Sequence, residues 1–176
     1  VKLDGGTHKY MVANTKLCLG FEGVSSTSVD DYSDNRATGS FSGSLSRVDD
    51  IFDKAMLFDG STGYIYITNP ANTIPSGSGV FTIDCVIRPD TMGNETIISY
   101  GSNANNQANI FYITANSVGH DFSGSALTYT TGDISGVWSY IAVTFDGTTR
   151  TLYYNGTSVA TDSPSPDVAS PSVIHI

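Results

Sequence analysis

The sequence predicts an all-β chain: two antiparallel sheets packed face to face, about a dozen strands and almost no helix. Three observations predict it. Charged residues make up only 14% of the chain, while Gly, Ser, Thr and Asn are abundant and helix-favouring Leu, Lys and Glu are scarce, a balance that suits strands joined by many turns. Several short runs alternate apolar and polar residues, the period of a half-buried strand. No segment shows helical periodicity beyond a turn or two, and "VDDIFDKA" is the best candidate for a short helical turn. A single open sheet of that many strands would expose too much edge, which favours two curved sheets.

The elements follow in order. In "KLCLGFEG", Leu17, Leu19 and Phe21 alternate with Cys18 and Gly20. The polar stretch from Ser25 to Ser46 reads as surface, with a short strand around Thr38 to Phe41. "KAMLFDGSTGYIYITNP" reads as a hairpin, with Met56 and Phe58 before a turn at residues 59–63 and Tyr64 to Thr68 after it. Pro70 and Pro75 end that unit. The cleanest strand is "GVFTIDCVIRP", where Phe81, Ile83, Cys85 and Ile87 share one face and Thr82, Asp84, Val86 and Arg88 the other. Shorter strands follow at "ETIISYG", "NIFYITA", "SVGHDF" and "ALTYTT", separated by Gly- or Asn-containing turns. The hairpin "WSYIAVTFDGTTRTLYYNGTSVA" closes the series and carries the only tryptophan, Trp138. Asp146-Gly147 supplies its turn without any ligand, because Gly adopts positive backbone dihedrals at little cost.

At 176 residues the chain is long enough for one domain, residues 1–176, that buries roughly 70% of its unfolded surface without staples. The net charge of -9 comes without a basic cluster, which disfavours nucleic acid as a partner. No apolar run approaches the roughly 20 residues that cross a bilayer, so membrane insertion is not expected. Cys18 and Cys85 lie in apolar strand-like runs and read as buried free thiols, with a disulfide left open because sequence does not give their separation. Asn94-Glu95-Thr96 and Asn155-Gly156-Thr157 match the glycosylation pattern, which is too short to carry weight.

Four segments together resemble a known family: "LCLGFEG", "KAMLFDGSTGYIYI", "GSGVFTIDCVIRP" and "VWSYIAVTFDGTTRTLYYNGTSVA". In this order they resemble the laminin-G-like, concanavalin A-like jelly-roll domains of extracellular bacterial proteins and bacteriophage structural proteins. The resemblance implies a jelly-roll sandwich in which Trp138, Ile141, Val143, Phe145, Leu152 and Tyr154 are scaffold. Domains of that family usually close with a strand resembling "GxIDEVRIY", whereas this chain ends at "PSVIHI". The expectation is a fragment of a longer chain, or a sandwich completed by a strand from elsewhere.

The wider superfamily includes glucanases, whose paired carboxylates sit in a Glu-x-Asp-x-Glu strand. Nothing here fits that pattern. Glu22 and Glu95 are the only glutamates, and Asp30-Asp31 and Asp49-Asp50 are adjacent, hence on opposite faces of an extended chain. His8, His120 and His175 lack a nucleophile motif, and the Cys and His residues lack zinc spacing. The expectation is a protein that is not an enzyme. The resemblance implies calcium as the one cofactor, with Asp59, Asp30, Asp31 and Asp34 as candidate ligands.

Sugar sites need exposed aromatic faces beside directed polar groups, and Tyr64, Tyr66, Tyr100, Tyr112 and Tyr129 are the candidates. The texture of the chain resembles phage structural domains. The functional expectation is a non-catalytic binding or decoration domain at a virion surface, with a glycan-binding role. Its partners would be other virion or cell-surface proteins, in a homo-oligomer or on a particle. A secreted bacterial carbohydrate-binding or adhesin module is the alternative, and a glycoside hydrolase the least favoured.

Overall fold

The computed structural model describes residues 14–23, 25–50, 53–68 and 74–176. Among them there are fifteen strands and no helix, in agreement with the all-β jelly-roll expectation. The chain forms two compact units that divide after residue 73.

The first unit holds β1 (Leu19–Gly20), β2 (Ser28–Asp31), β3 (Gly39–Ser42), β4 (Leu45–Asp50), β5 (Asp53–Phe58) and β6 (Tyr64–Thr68). Strands β1, β2, β3 and β6 run antiparallel in that spatial order, and β4 pairs with β5 as a separate ribbon. Strand β6 shows the period-2 rule plainly, with Ile65 and Ile67 buried while Tyr64, Tyr66 and Thr68 are exposed. Gly39 on the neighbouring strand makes room for them. A β-carbon there would stand 2.7 Å from both Ile65 Cγ2 and Val29 Cγ1, closer than packed atoms tolerate.

Three expectations for this region are corrected. "VDDIFDKA" is not helical where it is described, because Val48 pairs with Ala55 and Asp50 with Asp53 across the β4–β5 ribbon. Segments β5 and β6 do not form a hairpin with each other, since β5 takes β4 as its partner and β6 takes β3. The stretch from Ser25 to Ser46 is not simply surface: it supplies β2 and β3, and Val29, Asp31 and Ser33 within it are buried. Arg47, just beyond its end, holds two of its backbone carbonyls. Arg47 donates through Nε to Phe21 O at 2.8 Å, through Nη2 to Ser28 O at 2.8 Å, and through Nη1 to Ser25 O, and its guanidinium lies 5.3 Å from the Phe41 ring.

The second unit holds β7 (Phe81–Ile87), β8 (Glu95–Gly101), β9 (Ala108–Ile113), β10 (Ser117–Asp121), β11 (Ala126–Thr130), β12 (Ser139–Phe145), β13 (Arg150–Tyr154), β14 (Thr157–Asp162) and β15 (Val173–His175). They make two layers, β15-β8-β9-β10-β11 and β14-β13-β12-β7. Phe111, Ile113 and Val118 of the first layer pack with Ile141, Val143 and Leu152 of the second, flanked by Phe81, Ile83, Cys85 and Ile87. Each such apolar side chain contributes about 1.5–3 kcal/mol by leaving water, an upper range for a real unfolded chain. The facing residues of β7 and β12 are in register, with Ile141 opposite Cys85 and Val143 opposite Ile83. Four threonines, Thr82, Thr144, Thr151 and Thr161, form a row across the other face of that layer.

Cys18 and Cys85 are not joined by a disulfide, and burial pushes the Cys85 thiol up to about 12. Trp138 lies just before β12 and is half-buried, with the Arg88 guanidinium 5.3 Å from its ring. Residues 173–175 of the closing "PSVIHI" form a short strand on β8, with Ile174 opposite Tyr100.

Candidate glycan-binding surface

The five candidate tyrosines separate into three environments. Tyr64 and Tyr66 are 41% and 39% exposed and sit on the same face of β6, with ring centroids 6.3 Å apart and ring planes at 51°. Ser42 and Ser40 of β3 stand opposite them in register. Two aromatic rings flanked by hydroxyls are the arrangement that takes the C–H face of a sugar by stacking and its hydroxyls by directed hydrogen bonds.

Tyr100 and Tyr129 do not belong to such a surface, and this corrects the sequence expectation. Tyr100 is 6% exposed, and burial raises its phenol above the ordinary range. Tyr129 packs against the second unit's apolar core, with its ring 6.0 Å from that of Tyr154. The enclosed Tyr100 ring has no face for a ligand, and the half-buried Tyr129 ring has one side taken up by that packing. The strand period assigned these residues to a side of their strands without saying which side was inside.

Tyr112 occupies the third environment, the outer face of the layer that contains β9. Its ring lies on the backbone of Gly119, where a β-carbon would come within 2.6 Å of Cζ and 2.7 Å of Oη. Any other residue at Gly119 would displace the phenol. Half-burial first, and the charge of Asp121 second, raise its pKa, so the phenol stays a neutral donor across the physiological range. Tyr112 lines a depression of about 270 Å³ together with Asn94, Glu95, Thr96, Ile110, Ile113 and Thr114, of which Thr96 stands opposite Tyr112 and Glu95 opposite the core residue Ile113. Sequence reasoning missed Asn94, Glu95, Thr96 and Thr114. A β-bulge creates the arrangement: Thr96 pairs with Tyr112 but Ile98 pairs with Phe111, so Ile97 is the extra residue, and bulges re-aim neighbouring side chains. The only local signal was a glycine in mid-strand at Gly119.

The four candidate calcium ligands do not assemble. Asp59 Oδ1 accepts the N–H groups of Ser61, Thr62 and Gly63 at 3.0, 2.8 and 2.7 Å, and its Oδ2 accepts the Thr62 hydroxyl at 2.5 Å. These bonds hold its carboxyl well below the usual range, the Thr62 hydroxyl first among them. Asp31 is 3% exposed and accepts from Cys18 N, Ser33 N, Ser33 Oγ and Ala37 N. Asp30 and Asp34 are exposed. Among the described residues no three His, Cys, Asp or Glu side chains converge as a metal site. A Ca²⁺ ion needs six to eight oxygen ligands, and the oxygens of Asp59 and Asp31 already serve their own turns, so this set does not fit the ion.

The histidine described in the interior is structural. His120 is fully buried, its Nδ1 is 3.0 Å from Arg150 Nη1 and its Nε2 is 2.9 Å from Asn109 Oδ1. Arg150 in turn reaches Asp162 with Nε and Nη2, at 2.9 and 2.5 Å. Both imidazole nitrogens are engaged inside the protein, away from any substrate. Glu22 and Glu95 fall in different units, and Asp49 of β4 pairs with Lys54 of β5.

This architecture defines a class. Residues 59–174 match a laminin-G-type family model described as the concanavalin A-like lectin/glucanases superfamily, and the chain belongs to that superfamily. Among solved structures, it is similar to the binding domain of Paraclostridial Mosquitocidal Protein 1, with a TM-score of 0.68 and 19% identity over 90% of this chain and 43% of that one. Domain 4 of AbnA, a GH43 extracellular arabinanase from Geobacillus stearothermophilus in complex with arabinotriose, aligns with a TM-score of 0.63 and 15% identity, covering 84% of this chain and 76% of that one. An S-layer domain-containing protein from Clostridium thermocellum aligns with a TM-score of 0.55 and 22% identity, over 85% and 73%. At these identities the likeness is one of fold. The chain spans less than half of the mosquitocidal chain it matches. Comparison with curated proteins gave no match.

Proposed function

We propose that the chain is a non-catalytic carbohydrate-binding module whose ligand stacks on Tyr64 and Tyr66. The carrying observation is the adjacency of these two exposed rings, 6.3 Å apart on one strand with Ser40 and Ser42 beside them. The superfamily match, and the arabinotriose bound to an arabinanase domain of similar fold, support a sugar as ligand. The 51° angle between the ring planes suits a soluble chain that twists from one sugar to the next rather than a flat crystalline surface, which would need coplanar rings. Affinity electrophoresis against a panel of soluble polysaccharides tests the reading. Retardation by at least one polysaccharide, abolished in Tyr64→Ala/Tyr66→Ala, is the expected result; retardation that the double variant leaves intact would refute it.

The setting belongs to the same proposal: display at a virion or cell surface, where weak sugar contacts are multiplied by many copies. Low charge density and hydroxyl-rich outer strand faces support it. Electron microscopy of the parent assembly tests it, and a chain that is monomeric and unattached to any particle or cell envelope would count against it.

A further inference from the structure

We infer that the chain pairs with a second copy of itself through the outer face of β7 and β12, around Val86 and Tyr140. This surface lies in the second unit and stands apart from Tyr64 and Tyr66, which belong to the first.

Three rows of side chains cross the two strands on this face. The register sets Val86 beside Tyr140 and Asp84 beside Ala142. On the other side of the Val86 row, the Arg88 guanidinium lies 5.3 Å from the Trp138 ring. Alternation keeps these residues opposite Ile83, Cys85, Ile141 and Val143, which face the core. Val86 is 43% exposed and Tyr140 38%, two large side chains adjacent in the middle of the patch, and contiguous apolar surface marks an interaction site where a single exposed residue does not. Ala142 beside them is 4% exposed, its methyl sunk below taller neighbours. Tyr140 Oη donates to Asp84 Oδ2 at 3.3 Å, which keeps the carboxylate in its row.

The pattern is its own complement. A two-fold axis along the Val86–Tyr140 row, between two facing copies, sets their strands antiparallel and exchanges the outer rows. Arg88 then meets Asp84 of the second copy, the Trp138 ring meets the hollow over Ala142 of the second copy, and Val86 and Tyr140 meet their counterparts. A two-fold contact uses one patch twice, so it needs this match of opposite charges and of large against small. Asp90 and Asp133 lie in the loops that follow β7 and precede β12, outside the three rows. On a chain of net charge -9 two copies repel in most orientations, and the alternation of Asp84 and Arg88 favours this one.

The contact is small. Four strands of at most seven residues make a layer of about 19 Å by 23 Å, and the three rows cover part of it. Two copies bury less than the roughly 1,600 Å² of a standard interface, so the pair is weak, with a Kd of about 0.1 mM. It forms where copies are crowded together.

Sedimentation equilibrium on the full chain, from about 10 µM to about 1 mM, tests the inference. The mean mass should rise with concentration from one chain toward two. Val86→Glu sets two carboxylates against each other at the axis and should weaken pairing about tenfold or more. Asp84→Arg and Arg88→Asp should each do the same, since each brings like charges together. An equimolar mixture of those two variants should pair again, as should Asp84→Arg/Arg88→Asp, because opposite charges then meet across the axis. Asp84, Val86 and Arg88 are exposed, so melting curves should show the variants folded; should Arg88→Asp unfold through loss of its Trp138 contact, Val86→Glu decides. A chain that stays monomeric at the highest concentration, pairing that Val86→Glu leaves intact, or a mixture of folded charge variants that remains monomeric would each overturn the inference.

Discussion

Arg150 Nη1 stands 3.0 Å from His120 Nδ1, and the same nitrogen is 3.0 Å from the His120 carbonyl oxygen. A guanidinium only donates, so Nδ1 must accept and the imidazole proton sits on Nε2, where it donates to Asn109 Oδ1 at 2.9 Å. The chain of contacts from Asn109 through His120 and Arg150 to Asp162 therefore has one consistent direction. It joins β9 and β10 of one layer to β13 and β14 of the other.

The first expected outcome concerns that tautomer and its pH dependence. Burial, and secondly the Arg150 charge, hold His120 down to about 3, whereas in the unfolded chain it titrates near 6.5. Below about 6.5 the unfolded state binds the proton that the folded state refuses. Stability is thus full above that pH and falls by about 1 kcal/mol per pH unit as pH drops toward 3. Two-bond ¹H–¹⁵N spectra should show the Nε2–H form from pH 7 to pH 4.5, and urea melts across that range should give the slope.

Removing the carboxylate at the end of the chain should be costly. Arg150 is fully buried while the Asp162 side chain is 32% exposed, so water compensates only in part in Asp162→Ala. We expect a loss of roughly 2–4 kcal/mol, below the full range for breaking a buried pair. Chemical denaturation of the variant measures it, and a loss under 1 kcal/mol would mean the pair behaves as a surface contact.

Tyrosine truncations should sort by environment. Tyr129→Ala removes a half-buried ring packed against the core and should cost about 1.5–2 kcal/mol, with polysaccharide affinity unchanged in the remaining folded protein. Tyr66→Ala should leave the thermal midpoint nearly unchanged and reduce polysaccharide retardation. Melting curves and affinity electrophoresis on the two variants, read side by side, make the comparison.

Gly119→Ala tests how Tyr112 is held. The new β-carbon would meet the far end of a side chain that can swing aside, so the stability loss should be modest, about 1 kcal/mol. Chemical denaturation measures the loss, and the amide resonance of Thr96, which stands opposite Tyr112, should shift as the ring is displaced.

Asp59→Ala should lower the melting temperature, because four donors of its own turn lose their acceptor. The depressed pKa of Asp59 implies stability that is present above its unfolded value near 3.9 and lost as pH falls below it. Calcium should not shift the midpoint of the unmodified chain or of the variant. Differential scanning calorimetry with calcium and with chelator checks both statements.

By itself, the sequence determined the parts of this protein that depend on near neighbours. Alternation in Phe81 to Ile87 and in Ser139 to Phe145 assigned each side chain to a face, since successive residues of a strand point oppositely whatever the partner. Asp146-Gly147 and Asn155-Gly156 marked their turns, and the structure gives positive φ to Gly147, Asn155 and Gly156, conformations that Gly and Asn adopt most easily.

Only the tertiary structure decided what depends on which faces meet. Tyr66 and Tyr100 lie in equally good strand patterns, yet one is exposed and the other enclosed, because alternation carries no sign for inside and outside. The pairing of β6 with β3 rather than β5 involves a distant segment, as do the burial of Asp31 and the line from Asn109 to Asp162. The bulge at Ile97, which leaves Thr96 opposite Tyr112 and Ile98 opposite Phe111, arises from registry between two strands, a property of the pair that neither strand encodes alone.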